Sequence, residues 1–182
     1  MKTLKNHLMK KIFYPAVLLA IAGLFAFTVA AVSWKVQSDA AEVKFTSEKA
    51  DGSFTGLKAS IVFDDQHPEE AKISATIDAT SIGTGFFLKT MHAKDALGTD
   101  DYPIIKFEST SVSKNGNGYV AKGNLTLKGA TRPTAIYFTF ANKGSQGVFN
   151  GKMTVVPRDF GINRNGTPDT VMVSLTVPVS KM

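Results

Sequence analysis

From Trp34 onward the chain alternates apolar and polar residues with a period of two almost everywhere, and this regularity excludes most architectures before any motif is read. Successive side chains of an extended strand point to opposite faces, so such alternation builds sheets with one apolar face. Ala41, Val43 and Phe45 alternate with Glu42, Lys44 and Thr46; Leu57, Ala59, Ile61 and Phe63 follow, then Ile73, Ala75 and Ile77. Further runs are Ile105-Phe107-Ser109, Tyr119 to Leu127, Ile136-Phe138-Phe140, Phe149 to Val155 and Val171 to Val177. With a short strand at Trp34 to Gln37 this makes about nine segments, some of them parts of one bent strand. Asn115-Gly116-Asn117-Gly118 and Gly144-Ser145-Gln146-Gly147 supply the positive φ angles of tight hairpins, so neighbouring strands run antiparallel. Only Ser81 to Asp101 departs from the pattern: Phe86, Phe87, Leu88, Met91 and Leu97 fall at three- and four-residue spacings, which predicts one or two short helices. The class is all-β. An antiparallel meander of this length with one apolar face pairs into a sandwich or closes into a barrel.

The inward positions mix large and small residues. Ser47, Ser53, Thr55, Ala59, Ser109, Ala121, Gly123 and Gly151 stand among Phe45, Phe63, Phe107, Phe138, Phe140 and Phe149. Either the small residues leave an apolar hollow that takes one elongated ligand, or they sit opposite the large ones and fill the core. Tryptophan at Ala121 or Gly123 separates the two cases, because a hollow accepts the bulk and a packed core does not.

Composition matters chiefly through where the charge lies. The 182 residues carry 21 Lys and Arg against 15 Asp and Glu, a formal net charge of +6. Lys2, Lys5, Lys10 and Lys11 stand in the first eleven residues without an acid and precede an uncharged run from Ile12 to Val32. A basic start, an apolar run and the small residues Thr28, Ala30 and Ala31 describe a secretory signal peptide over residues 1–30, cleaved near Ala30, ahead of a domain over 31–182. The competing reading is an uncleaved anchor in an inner membrane, since 21 uncharged residues are long enough to cross a bilayer. Either route exports the domain to a periplasm or cell envelope. Without the four leader lysines, 17 cationic residues face 15 acids. The near balance gives no support to a nucleic-acid surface. Cysteine is absent, which excludes disulfides, thiol catalysis and cysteine-ligated metals.

Nor does the sequence show a catalytic motif. His67 and His92 are the two histidines beyond the leader and make no metal-binding spacing, so no metal is expected. There is no nucleophile elbow and no phosphate-binding glycine loop. A set of His92, Asp95 and a serine is the nearest approach to a hydrolase. An envelope interaction module with a filled core is another alternative, its sheet edge guarded by Pro178.

Several stretches together resemble the YceI-like family of exported bacterial proteins. They are Trp34-Lys35-Val36, Val43-Lys44-Phe45 followed by Gly52-Ser53-Phe54-Thr55-Gly56, and Ser81-Ile82-Gly83-Thr84-Gly85 leading to His92. Tyr102 to Thr110, Gly123 to Gly129 with Thr131, and Arg158-Asp159-Phe160-Gly161-Ile162 complete the set. The resemblance implies an antiparallel lipocalin-like β-barrel of about eight strands with one or two short helices. It also implies that the barrel binds an amphipathic isoprenoid lipid, such as a polyprenyl phosphate, a quinone or a quinone precursor, as carrier or reservoir. No cofactor besides that lipid is expected, and transient membrane contact and a homodimer are further expectations. The tail would lie among Phe45, Phe63, Phe107, Ala121, Phe138, Phe140, Phe149 and Met153. The mouth would be formed by Phe86, Phe87, Lys89, Met91, His92, Arg158 and Asp159, with Asn163 and Arg164 in the adjacent loop. If Arg158 is buried, Asp95, Asp100 and Asp101 are its candidate partners. The family usually carries a charged, often Arg-Asp-containing helix ahead of the histidine, whereas this chain reads Phe86-Phe87-Leu88-Lys89-Thr90-Met91. Those extra apolar residues are expected to deepen contact with a lipid tail at the mouth.

Overall fold

The strands form one closed ring. The computed structural model describes residues 32–182, so the leader, its cleavage and the anchor alternative lie outside the described residues. Ten strands run in the sequence β1 (Ser33–Val36), β2 (Glu42–Thr46), β3 (Asp51–Phe54), β4 (Lys58–Val62), β5 (Lys72–Asp78), β6 (Ile104–Asn115), β7 (Gly118–Leu127), β8 (Ala130–Lys143), β9 (Gln146–Val155) and β10 (Val171–Lys181). Every pairing is antiparallel. The ring closes because β10 serves two partners along its length: Val179 to Lys181 pair with β1, and Met172 to Thr176 pair with β2. β1 and β2 are therefore two halves of one strand bent at Ser38–Ala40, and β3 and β4 are halves of another, bent at Gly56 where φ is 71°. Counted this way the barrel has eight strands, and closure leaves no long free edge.

One α-helix, α1 (Phe87–Leu97), crosses the end of the barrel between β5 and β6. Its first turn is held by Thr84, whose backbone N–H donates to Thr90 Oγ1 at 3.1 Å. Its last turn is tied more firmly. Gly98 takes the left-handed conformation, with φ 62°, that ends the helix, and Lys128 Nζ donates to the Ala96 carbonyl at 2.8 Å.

The barrel interior divides into two halves along its axis. At the closed end, aromatic rings fill the space. Phe63 is fully buried and lies 5.0 Å from Tyr119, 5.6 Å from Phe138, 5.3 Å from Phe140 and 5.4 Å from Phe149, centroid to centroid. Phe140 stacks on Phe149 at 4.3 Å, and Trp34 meets Phe140 edge-on at 5.0 Å while its indole N–H donates to the Phe63 carbonyl at 2.9 Å. Small residues seat these rings. A Cβ on Gly147 would come 2.5 Å from the Phe140 ring, and one on Gly123 would come 2.8 Å from the Phe107 ring. Through this half, the reading in which small residues face large ones and fill the core is the correct one.

Tyr119 gives this packing a pH dependence. Burial, with Asp65 and Asp64 nearby, raises its phenol above the ordinary value. The folded state then holds the proton more tightly than the unfolded chain. That contribution to stability is complete below the unfolded phenol value of about 10 and is lost as pH rises through the folded one. Tyr119→Phe is expected to flatten the alkaline limb of the denaturation midpoint plotted against pH; an unchanged limb would assign the loss to other groups.

Candidate functional site

The other half of the barrel is open. A cavity of about 510 Å³ runs from the barrel's middle to the end covered by α1. Its walls are apolar residues on strands: Val43 and Phe45 on β2, Ile77 on β5, Ile105 on β6, Leu125 and Leu127 on β7, Met153 and Val155 on β9, and Val173 on β10. Strand pairing sets their heights, since Val173 stands in register with both Phe45 and Met153. Below Met153 and Val173 the next inward pair is Gly151 and Leu175, where Ile136 closes in and the packed half begins.

Three segments frame the mouth. The β2–β3 hairpin contributes Ser47, Lys49 and Ala50; α1 contributes Lys89, His92, Ala93, Ala96 and Leu97; the loop before β10 contributes Arg164, Asn165 and Thr167. Among the described residues the lining thus includes two lysines, an arginine and a histidine and no carboxylate. Just outside it, Asp95 forms an ion pair with Arg164, bridging α1 to the loop, and Glu48 lies 3.6 Å from Lys49. These pairs are exposed, so they add little stability. Lys89 has no carboxylate partner among the described residues; its ammonium sits 5.8 Å from the centre of the Phe86 ring. His92 makes no side-chain hydrogen bond among the described residues.

Of the residues expected at the tail, Phe45 and Met153 line the cavity. Phe63, Phe138, Phe140 and Phe149 do not; they form the packed floor described above. Phe107 and Ala121 are buried at mid-barrel outside the lining. Of those expected at the mouth, Lys89 and His92 line it, and Arg164 joins them. Phe86, Phe87 and Met91 are at this end but turn away from the cavity into solvent, because Phe87, Leu88 and Met91 lie on the side of α1 opposite Lys89, His92, Ala93 and Ala96. Arg158 and Asp159 are not on a strand. Pro157 and the left-handed Gly161 bracket a single 3₁₀ turn that leaves both exposed and outside the lining, and Arg158 pairs with Asp169 at 3.4 Å rather than with Asp95, Asp100 or Asp101. Sequence reading missed Lys49, Ala93, Ala96 and the loop at Asn165 and Thr167. Only the helical spacing of Lys89, Ala93 and Ala96 carried a signal of a shared face. Among the described residues, no group of three or more histidines and carboxylates is placed to hold a metal ion.

This arrangement can be set beside known proteins. The YceI-like domain model matches residues 34–181, which is nearly the whole described barrel. The chain belongs to the YceI-like family. Curated relatives agree: a UPF0312 protein of Yersinia pestis (strain Pestoides F) is 32% identical over 136 residues, covering 70% of this chain and 71% of its own length. Another from Serratia proteamaculans is 33% identical over 138 residues with the same coverage. Among solved structures, BcnA of Burkholderia cenocepacia superposes with a TM-score of 0.75 at 22% identity, over 79% of this chain and 99% of its own. A polyisoprenoid binding domain from Saccharophagus degradans, implicated in plant cell wall breakdown, gives a TM-score of 0.61 at 14% identity, over 83% and 99%. At these identities both likenesses speak for the fold. The YceI-like barrel is the lipocalin-like form that the sequence implied.

Proposed function

We propose that this YceI-like domain binds an amphipathic isoprenoid lipid, tail inward and head group at the mouth, and serves as a carrier or reservoir in a bacterial envelope. The observation that carries this reading is the half-barrel cavity, apolar along its walls and cationic at its rim. The polyisoprenoid binding domain with the same fold supports the ligand class, and the basic and apolar leader supports export.

Volume and energy sharpen the reading. At roughly 30 Å³ per small group in a condensed phase, the cavity holds on the order of 17 non-hydrogen atoms, or about three five-carbon units. Burying those carbons gains roughly 12 kcal/mol at about 0.8 kcal/mol per CH₂. Association costs about 4–15 kcal/mol in lost freedom, so most of that gain is offset and polar contacts at the mouth decide the net affinity. A longer chain leaves its remaining units outside, since the ring-packed floor blocks them.

Cations without a lining carboxylate favour an anionic head over a neutral quinone ring. Lys89 is the group we assign to it, supported by Lys49 and Arg164. The test is competition between farnesyl phosphate and farnesol on the full chain, beside mass spectrometry of lipid that co-purifies under native extraction. The phosphate is expected to bind about tenfold tighter, the worth of one charge-assisted contact, and the preference is expected to shrink in Lys89→Gln and at high salt. Equal affinities would favour the quinone class. If neither probe binds and no lipid co-purifies, the lipid reading is lost.

A further inference from the structure

The exposed apolar side chains of this domain are gathered at one end. Of the ten exposed large apolar residues among the described residues, eight stand at the mouth end of the barrel, Ile104 and Met172 among them; Tyr137 and Met182 are the exceptions. Four form one protrusion at the start of α1: Phe86 is 71% exposed, Phe87 77%, Leu88 67% and Met91 50%. Phe87, Leu88 and Met91 make a single stripe at three- and four-residue spacing on the side of the helix turned away from the cavity. Scattered exposed apolar residues need no explanation, but a contiguous cluster of two phenylalanines, a leucine and a methionine does.

We propose that this protrusion inserts into the surface of a lipid bilayer and sets the cavity mouth against it. Three features favour a bilayer as the occupant. The stripe and the cavity lining are opposite faces of the same helix, so insertion brings the mouth to the source of the ligand. Lys89 and Lys94 on α1 have no carboxylate partner among the described residues, and the helix's one acid, Asp95, is paired with Arg164, which leaves this end net cationic and suits an anionic head-group layer. The protrusion is also a helix start, held near its base by the Thr84–Thr90 contact, while the tie to the barrel through Lys128 is at the helix's other end. It projects instead of forming a groove for another protein. Among the described residues no helix is long and apolar enough to span a membrane, so the contact is interfacial.

The purpose of the contact rests on the lipid-binding reading, but its existence is tested separately. The chain lacks cysteine, so Met91→Cys and Tyr137→Cys each give one site for an environment-sensitive fluorophore, at the mouth end and away from it. With vesicles of phosphatidylcholine and phosphatidylglycerol carrying a quencher in their acyl region, the label at 91 is expected to shift to the blue and be quenched, and the label at 137 to stay unchanged. Adding Phe86→Ser and Phe87→Ser is expected to reduce the quenching at 91 about tenfold or more, while co-purified lipid, measured by mass spectrometry, stays the same. Equal quenching at both sites would mean that the domain is merely held near the membrane, and would overturn the proposal. So would a blue shift at 91 before vesicles are added, which would reveal a second copy or another segment of the chain on the stripe. Quenching at 91 left intact by the two serines would overturn it too, whereas absence of co-purified lipid from the Met91→Cys protein, with its label quenched by vesicles, would count against the ligand reading alone.

Discussion

Phe63→Ala is expected to destabilise the domain by roughly 3–5 kcal/mol, a large part of the 5–15 kcal/mol available to a domain of this kind. Phe63 is fully buried and touches four other rings, so truncation removes its own transfer free energy and leaves a void that the closed end cannot readily collapse around. Its backbone takes part too: Phe63 N–H donates to Val32, and its carbonyl accepts the Trp34 indole. A shift of the chain here therefore loosens the join between β1 and β4, one of the pairings that make up the ring. Phe63→Leu keeps most of the apolar volume and is expected to cost about 1.5 kcal/mol. Urea denaturation measures both. Unchanged slopes would place the effect in stability rather than in the compactness of the unfolded chain. A cost below about 1 kcal/mol for the alanine variant would mean that the closed end is loosely packed, contrary to the ring distances.

The same residue marks how far the sequence could be read. Period-two alternation identified the inward face correctly, and Phe45, Phe63, Phe138, Phe149 and Met153 all lie on it. Alternation says nothing about height along the barrel axis. Met153 and Phe149 share a face of β9 but stand four residues, about 13 Å, apart, so one lines the cavity and the other packs the floor. Height follows from strand register, which pairs residues distant in sequence, such as Val43 with Leu175. It follows too from the bends that divide β1 from β2 and β3 from β4. A bulge between Ser109 and Ser111 in β6 shifts the parity and puts Val112 opposite Ala121, which simple alternation from Phe107 would not give. At the mouth, spacing indicated a helix but could not say which of its faces met the barrel, because apolar residues occur on both. The Asp95–Arg164 pair joins positions 69 residues apart, and no local pattern announces it.

Filling the cavity should abolish binding without harming the fold, provided the added bulk goes where the space is. Ala93→Trp on α1 and Val173→Trp on β10 both point into the cavity. Displacing even four methylene groups of a tail forfeits about 3 kcal/mol, or about a hundredfold in Kd. Farnesyl phosphate binding is therefore expected to weaken by at least that factor, with the thermal midpoint held or raised as the new ring gains contacts. Gly123→Trp is the opposing case. A Cβ there overlaps the Glu108 carbonyl oxygen and meets the Phe107 ring and the Ser109 backbone, each at 2.8 Å, so the barrel wall must move and about 3 kcal/mol or more of stability should be lost. Ala121, 1% exposed beside the packed floor, is expected to behave likewise. The contrast tests the division of the barrel directly. If Trp at 123 is tolerated and Trp at 173 unfolds the protein, the open and packed halves have been assigned the wrong way round. If both tryptophans in the cavity leave binding intact, the ligand lies elsewhere and the half-barrel reading fails.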